Sequence, residues 1–308
     1  MRLALGGLLM LGGLLASGPD PAWADSDEAA GGHLFACRRG FDSFGALARS
    51  PATLDLANGL AFIGAGAGIS LGGSPEERWL SENGFDSGVR NALRLDGRSS
   101  REATDRWSDV LLAMNVAVLP TIAIGVQQVR TGDCVESWDM ATDAVESFGL
   151  TLFVTEAIKL ATGRERPYGK ECDVDPPRDA NCGSRDRYRS FISGHASLAA
   201  AGAGLGCAYS IQRDAWGTSA AARATPCALG IAAAVATGFL RVSADRHWAS
   251  DVLVSFGVGA AIGWFDTWGP FDLLRFETRD AGGDVALRGL VLPEAGPGRV
   301  GARLHVVF

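Results

Sequence analysis

Six long apolar stretches, separated by charged or Gly/Pro-rich loops, set the main constraint on how this 308-residue chain folds. They cover residues 54–73, 106–130, 137–162, 195–212, 225–241 and 250–267. Alanine and glycine dominate several of them, which allows neighbouring helices to approach closely. Apolar segments of this length between loops are typical of packed helices. We therefore predict an all-α fold, a six-helix antiparallel bundle, over residues 50–268.

The two ends of the chain differ from this pattern. Arg2, an apolar run over residues 3–16 and the small-x-small triplet AWA at 22–24 predict a signal peptide, residues 1–24, although an uncleaved membrane anchor stays open. Residues 25–49 form a polar lead-in. The segments LRFET, VALRGLVL and GARLHVVF alternate in the manner of strands, so we predict a short β-rich C-terminal appendage over residues 269–308.

Export to an oxidising compartment would allow the six cysteines to form disulfides. The first expected pair is the one closed within a polar loop, and the third follows by elimination. The predicted pairs are Cys172–Cys182, Cys207–Cys227 and Cys37–Cys134. We expect no zinc site, because neither C-x-x-C nor a Cys/His ligand spacing occurs.

Charge sets further limits on function. The formal net charge of -7 and the pI near 5.2 argue against a nucleic-acid partner, which needs a clustered basic surface. Asp139, Asp143 and Glu146 recur at i, i+4 and i+7, hence on one helix face. We expect this face to be solvated.

Antiparallel helices bring a specific set of polar residues to one end of the bundle, because alternate ends of consecutive helices meet. These residues flank the third to sixth apolar stretches. They are Lys159, Arg164, Arg166, Ser193, His195, Arg241, His247 and Asp251. Cations, histidines and helix N-terminal N–H groups around one space predict an oxyanion site, with phosphate as the expected occupant.

The two histidines of this set have the properties needed for phosphoryl transfer. One can attack while the other donates a proton. Asp251 lies one helical turn after His247, where its carboxylate could accept a hydrogen bond from one ring nitrogen. The other nitrogen would then present its lone pair to the site.

Three blocks of this sequence resemble a known signature. KLATGRERP, SGH and R-x5-H-x3-D occur in order between Lys159 and Asp251. They are similar to the three-part signature of the type-2 phosphatidic acid phosphatase and vanadium haloperoxidase superfamily. The resemblance implies the helical bundle of that superfamily and a phosphoric ester hydrolase that requires no metal or other cofactor.

The resemblance also implies a role for each matching residue. Lys159, Arg166 and Arg241 would bind phosphate oxygens, assisted by Ser193 and the backbone N–H of Gly194. For catalysis, His247 would be the nucleophile that forms a phosphohistidine, Asp251 would orient it, and His195 would be the general acid that later helps to activate water.

The chain departs from the superfamily pattern at two positions. Ile192 stands where proline usually precedes SGH, and Leu240 stands where serine usually precedes the third-block arginine. Neither lost residue is a charged catalytic group, so we expect the chemistry to survive. Asp245 and Arg246, beside the nucleophile, are expected to form a loop salt bridge or the rim of the site.

The acidic residues of the third apolar stretch and the number of predicted helices bear on where the protein is located in the cell. Acidic residues in the third apolar stretch are costly in lipid. Six spanning helices after an exported N-terminus would also put the site in the cytosol. We therefore predict an exported, periplasmic enzyme that could rest on a membrane surface, with integral membrane insertion as the alternative. The predicted substrate is a phosphate monoester or diphosphate, preferably of a lipid.

Other functions for the same residues stay open. A soluble periplasmic acid phosphatase would use a small phosphate ester. A vanadium-dependent haloperoxidase would hold vanadate with the same side chains, and a non-catalytic protein would only bind phosphate. Vanadate separates these classes, since it would inhibit the phosphatase, activate the peroxidase and merely compete in the binder.

Overall fold

The structure is a computed structural model, and it describes most of the region predicted to be helical. The described residues are 37–40, 47, 50–72, 79, 82–174, 179 and 181–268, with the backbone of 275–279, 285–296 and 299–307. The predicted signal peptide and most of the polar lead-in lie outside these residues.

Helices make up the whole of the bundle. Within the described residues there are seven, namely α1 (Pro51–Leu71), α2 (Gly84–Leu93), α3 (Arg98–Thr131), α4 (Cys134–Thr162), α5 (Gly194–Ile211), α6 (Ala220–Ser243) and α7 (Ala249–Phe265). A π-helical turn, Met114–Val118, joins the two α-helical parts of α3, Arg98–Ala113 and Leu119–Thr131. The prediction of an all-α bundle is confirmed.

The number of helices differs from the prediction by one. Each of the six apolar stretches forms a helix, and α2 is the additional element. Only ten residues long, α2 contains two charged residues and no long apolar run, so apolar periodicity does not reveal it. Asn83 starts α2 by accepting a hydrogen bond from the backbone N–H of Asp86 at 2.9 Å.

Beyond the bundle, the backbone pairs as three antiparallel strands. They are β1 (Arg275–Arg279), β2 (Val285–Gly296) and β3 (Arg299–Val307), in the order β1-β2-β3. Arg275 pairs with Leu290, and Val291 pairs with Leu304. The division of the chain at residues 24, 49 and 268, and the role of the C-terminal segment, stay predictions.

Local sequence sets the helix ends that position the polar cluster. Gly163 ends α4 with a φ of 57°, a left-handed conformation that glycine adopts at low cost. Lys159 therefore lies in the last helical turn, while Arg164 begins a loop. Ser193 starts α5 by accepting a hydrogen bond from the backbone N–H of Ala196 at 3.4 Å. These ends bring the loop after α4 and the first turn of α5 together.

The core is centred on α5, which packs against α7 through glycine. A Cβ atom at Gly259 would overlap the backbone carbonyl oxygen of Ser197, and one at Gly263 would overlap that of Ala201. Because α5 carries Ser193 at its start and α7 carries Asp251, this close crossing fixes the separation of two blocks of the predicted site.

We expect Gly263→Ala to destabilise the protein by about 1–3 kcal/mol, because the new methyl group must push the two helices apart. Gly257→Ala, on the exposed side of the same helix with open space around it, is the matched control. It should stabilise the protein by about 0.5–1 kcal/mol through helix propensity. Urea unfolding measures both changes, and equal stability of the two variants would contradict the packing described for α5 and α7.

The acidic face of α4 is covered rather than solvated. Arg213, just after α5, pairs with Asp143 at 2.5 Å, and Asn58 of α1 donates to Glu146 at 3.3 Å. Burial raises the pKa of Asp143 to about 7, although the charge of Arg213 opposes this. The predicted solvated face is therefore wrong for Asp143 and Glu146, because α1 and the end of α5 pack over it.

All three predicted disulfides are confirmed. Cys207–Cys227 joins α5 to α6, Cys37–Cys134 holds the lead-in against the start of α4, and Cys172–Cys182 closes the loop after α4. These cross-links suggest an oxidising, extracytoplasmic setting.

Two of the described helices, α3 and α6, are long and apolar enough to cross a bilayer. In the most apolar 18 residues of α3, 17% of the residues are buried within the protein, and in the corresponding 18 residues of α6 the share is 33%. Length and composition alone make this weak evidence for contact with a membrane.

Candidate active site

The end of the bundle brings the predicted site residues together around His247. This side chain is buried, and the charges of Lys159, Arg166 and Arg241 all act on it, as does His195. Ser193 and Gly194 begin α5 beside the same space, and a Cβ at Gly194 would lie 3.1 Å from Lys159 Nζ. The antiparallel arrangement inferred from the loops therefore produces the expected convergence.

Hydrogen bonding defines which nitrogen of His247 is free. Nδ1 lies 2.8 Å from the backbone carbonyl oxygen of Ser190. Since a carbonyl only accepts, Nδ1 carries the proton and Nε2 carries the lone pair. Burial, followed by the charges of Arg166 and Arg241, holds the pKa of His247 well below its usual value. The ring is therefore neutral at physiological pH.

Asp251 acts on His247 mainly through other groups. Its Oδ2 lies 3.5 Å from His247 Nδ1, but it accepts hydrogen bonds from Ser190 Oγ at 2.5 Å and from the backbone N–H of Trp248 at 2.9 Å. Asp251 thus fixes the residue whose carbonyl orients the ring. The His-x-x-x-Asp spacing predicts a direct hydrogen bond between Asp251 and His247. In the structure, Asp251 instead accepts a hydrogen bond from Ser190, and the carbonyl oxygen of Ser190 accepts one from His247.

Arg164, which sequence placed among the oxyanion ligands, holds two buried carboxylates instead. It donates to Asp251 Oδ1 and to Asp86 Oδ2, both at 2.6 Å. Asp86 also accepts from the backbone N–H of Ser250 at 2.9 Å and from its hydroxyl at 2.8 Å. Asp86 thereby ties α2 to the start of α7, and no signal in the sequence indicates its partner.

We expect Asp86→Asn to lower the free energy of unfolding by about 3–5 kcal/mol, because it breaks a fully buried ion pair. Glu102→Gln is the matched control, since it breaks the exposed pair between Arg98 and Glu102 and should leave stability unchanged within error. Chemical denaturation compares the two variants. Similar stability of both would show that the Asp86 contact contributes little.

The three predicted phosphate-binding cations differ in how they are paired. Lys159 Nζ donates to Glu156 Oε1 at 2.6 Å, and burial lowers the pKa of Lys159. Arg241 pairs with Asp105 and lies 3.3 Å from Ser108 Oγ. Within the described part of the chain, the guanidinium of Arg166 makes one long hydrogen bond, 3.4 Å, to the backbone carbonyl oxygen of Arg189.

Two guanidinium nitrogens of this group lack a partner. Among the described residues, the buried Nε atoms of Arg166 and Arg241 make no hydrogen bond. A buried donor without an acceptor is unfavourable, so both atoms mark where an anion would be bound. Burial lowers the pKa of Arg241 to about 10, which leaves it charged at neutral pH.

His195 is paired with a carboxylate that sequence analysis missed. Its Nε2 lies 2.7 Å from Asp109 Oδ1. Burial and then the charge of Arg241 lower the pKa of His195 to about 4, while Asp109 and Asp105 oppose this shift. The two aspartates lie four residues apart on the polar first turns of α3, a spacing that could have identified them.

A polar pocket with a volume of about 190 Å³ opens onto these groups. Arg166, His195 and Arg241 line it together with Tyr168 and Arg246. A larger depression, about 310 Å³, lies on the outer face of α3 and is mainly apolar. The polar pocket is the better candidate site, because only there do cations and a histidine converge.

The remaining predicted residues, Asp245 and Arg246, form ion pairs, and Arg246 also lines the pocket. Asp245 is buried and pairs with Arg90 at 2.6 Å and Arg94 at 2.9 Å. Arg246 donates to Asp105 at 3.1 Å. The predicted loop salt bridges are therefore confirmed for both residues. No group of three or more metal-ligating side chains occurs in the described part of the chain.

The helical bundle gathers buried cations and two histidines at one end. Residues 141–274 match the family model described as PAP2 superfamily. The chain therefore carries a PAP2 superfamily domain, and the predicted superfamily is confirmed. No curated protein and no solved structure matches the chain. Members are typically phosphoester hydrolases, so membership suggests phosphatase-type activity on phosphate esters.

Proposed function

We propose that the protein is a metal-independent phosphatase that hydrolyses a phosphate monoester or diphosphate through a phosphohistidine at His247. The observation that carries this proposal is the neutral His247, which keeps the lone pair of Nε2 while the charges of the buried Arg166 and Arg241 act on it. Among the described residues, the Nε atoms of both arginines have no hydrogen-bond partner. The catalytic roles of His195 and Asp251 belong to the same proposal.

In the first step, His247 Nε2 attacks phosphorus and the bond from phosphorus to the leaving oxygen breaks. His195 gives its proton to that oxygen. The negative charge that develops on the three remaining oxygens is stabilised by Lys159, Arg166 and Arg241. Ser193 and the N–H of Gly194 assist at the N-terminus of α5. These cations take the role that magnesium has in other phosphoryl-transfer sites.

In the second step, water attacks phosphorus and the bond from phosphorus to Nε2 breaks. His195, neutral after the first step, accepts a proton from the water, and inorganic phosphate leaves. His247 returns to its neutral state with the Nδ1 proton still bonded to Ser190. Atoms and charge therefore balance over the cycle.

Lipid phosphate is the favoured substrate. The pocket is bounded by α3, which carries Asp105 and Asp109, and by α6, which carries Arg241. Large apolar side chains on these two helices are exposed near the same end, including Trp107 and Phe239. An acyl or prenyl chain could pack there while its phosphate occupies the polar pocket. A periplasmic enzyme resting on a membrane surface fits this arrangement, with integral insertion as the alternative.

A soluble acid phosphatase is the second candidate, and the polar lining of the pocket favours it.

We expect purified residues 25–308 to release phosphate in the presence of EDTA. The substrates to compare are an aryl phosphate, phosphatidic acid and a polyprenyl diphosphate in detergent. Release from the lipids alone would support the lipid phosphatase. Release from the aryl phosphate alone would support the soluble enzyme, and no release would contradict both.

We expect His247→Ala to abolish turnover while vanadate binding largely persists, because the cations stay in place. His305→Ala, outside the helical bundle, is the matched control and should retain activity. Vanadate should inhibit the wild-type enzyme. Peroxidase activity with vanadate would instead favour the haloperoxidase, and competition with phosphate without any turnover would favour the binding protein.

The pH dependence tests the role of His195. With a pKa of about 4 in the free enzyme, its protonated fraction grows about tenfold per unit as pH falls from 7 to 5. We therefore expect kcat/KM for the substrate that the enzyme hydrolyses to rise over this range, and His195→Asn to remove the rise. Asp109→Asn removes a charge that raises the pKa of His195, so the dependence of kcat/KM on pH should move to lower pH. A move to higher pH would contradict this assignment.

A further inference from the structure

Tyr168 is a pocket residue that the proposed mechanism leaves unused. It lies in the 3-10 turn Pro167–Glu171, directly after the phosphate-binding Arg166 and its proline. Its side chain is 1% exposed, lines the polar pocket and lies under the guanidinium of Arg246, 5.7 Å from the ring centre. Tyr168 is therefore held rigidly beside the cations.

The hydroxyl of Tyr168 lacks a hydrogen-bond partner among the described residues. A second buried tyrosine, Tyr209, shows the usual situation, because its hydroxyl donates to the backbone carbonyl of Met140. The cations that act on Tyr168, Arg166 and Arg246, only donate and so offer no acceptor for its proton. The carboxylates of Asp186 and Asp179 also act on Tyr168, but neither makes a hydrogen bond with its hydroxyl. Burial raises the pKa of Tyr168, so the hydroxyl keeps its proton at neutral pH.

Three residues that line the same pocket thus each carry a buried donor with no acceptor among the described residues. These donors are the Nε atoms of Arg166 and Arg241 and the hydroxyl of Tyr168. A tetrahedral oxyanion supplies acceptors in several directions at once, whereas a single water satisfies fewer of these donors. The shared lack of acceptors favours one anionic ligand for all three groups.

We propose that Tyr168 is a further substrate-binding residue, whose hydroxyl donates a hydrogen bond to a non-bridging oxygen of the bound phosphate. The proposal rests on the proposed function, because it uses the same anion site. The hydroxyl adds a directed neutral donor to that site, and so it improves phosphate binding without further charge repulsion among the cations.

Tyr168→Phe tests this proposal, since it removes one oxygen and keeps the ring under Arg246. Tyr188→Phe is the matched control, because Tyr188 packs against Arg187 outside the pocket. Titration calorimetry with orthovanadate and with inorganic phosphate on the full mature chain measures affinity. We expect about tenfold weaker binding for Tyr168→Phe, the effect of one hydrogen bond to a charged group, and no change for the control.

Thermal unfolding separates ligand binding from a structural role. Without ligand, Tyr168→Phe should unfold at the wild-type temperature or above, because the variant loses a buried donor that had no acceptor. The rise in unfolding temperature on adding vanadate should be smaller than in the wild type. Unchanged affinity of Tyr168→Phe for the anions would overturn the proposal, whether or not the unfolding temperature without ligand is lower.

The outcomes also distinguish this proposal from the proposed function. If the wild type hydrolyses phosphate esters and Tyr168→Phe binds vanadate equally well, only the role of Tyr168 fails. If the variant binds vanadate more weakly but the wild type releases no phosphate, the phosphatase fails and the role of Tyr168 stands. If the wild type binds neither anion, both are overturned.

Discussion

The buried bridge from Arg164 to Asp86 and Asp251 is the interaction on which the arrangement of the site depends. Both ion pairs are 2.6 Å long and almost fully removed from solvent. Removing one partner from such a pair leaves an uncompensated charge, so the three side chains are required together. Through this bridge, α2, the loop after α4 and the start of α7 are fixed, and Ser190 is held so that its carbonyl orients His247.

The site balances a need for positive charge against the cost of concentrating it. Lys159 and Arg241 are partly neutralised by Glu156 and Asp105, which limits repulsion among buried cations in the absence of an anion. Among the described residues, the Nε of Arg166 has no hydrogen-bond partner. A dianionic phosphate would therefore complete the hydrogen bonding of the pocket. Burial, together with the same charges, lowers the pKa of His247 and keeps it neutral, so that anion binding and nucleophilicity depend on one arrangement.

The sequence alone predicts those features of the fold and the site that follow from local patterns of apolar residues and short connections. Apolar periodicity located six helices, and the antiparallel connections brought the signature residues to one end of the bundle. The sequence does not predict the features that depend on tertiary contacts. The polar helix α2 gave no apolar signal, so Asp86 was missed. The spacing of Asp105 and Asp109 indicates a shared helix face, but only the tertiary structure shows that Asp109 pairs with His195. Glu146 lies buried because α1 covers a face that sequence alone suggests is solvated.

The most direct test of the account is to trap the covalent intermediate. The mature enzyme would be mixed with a radiolabelled phosphate ester, quenched in alkali to preserve phosphohistidine, digested and analysed by mass spectrometry, alongside the His247→Ala variant. We expect an acid-labile phosphate on the peptide that contains His247, and no label on the variant. Turnover without label at His247, or a stable phosphate on His195 or Ser193, would contradict the proposed mechanism.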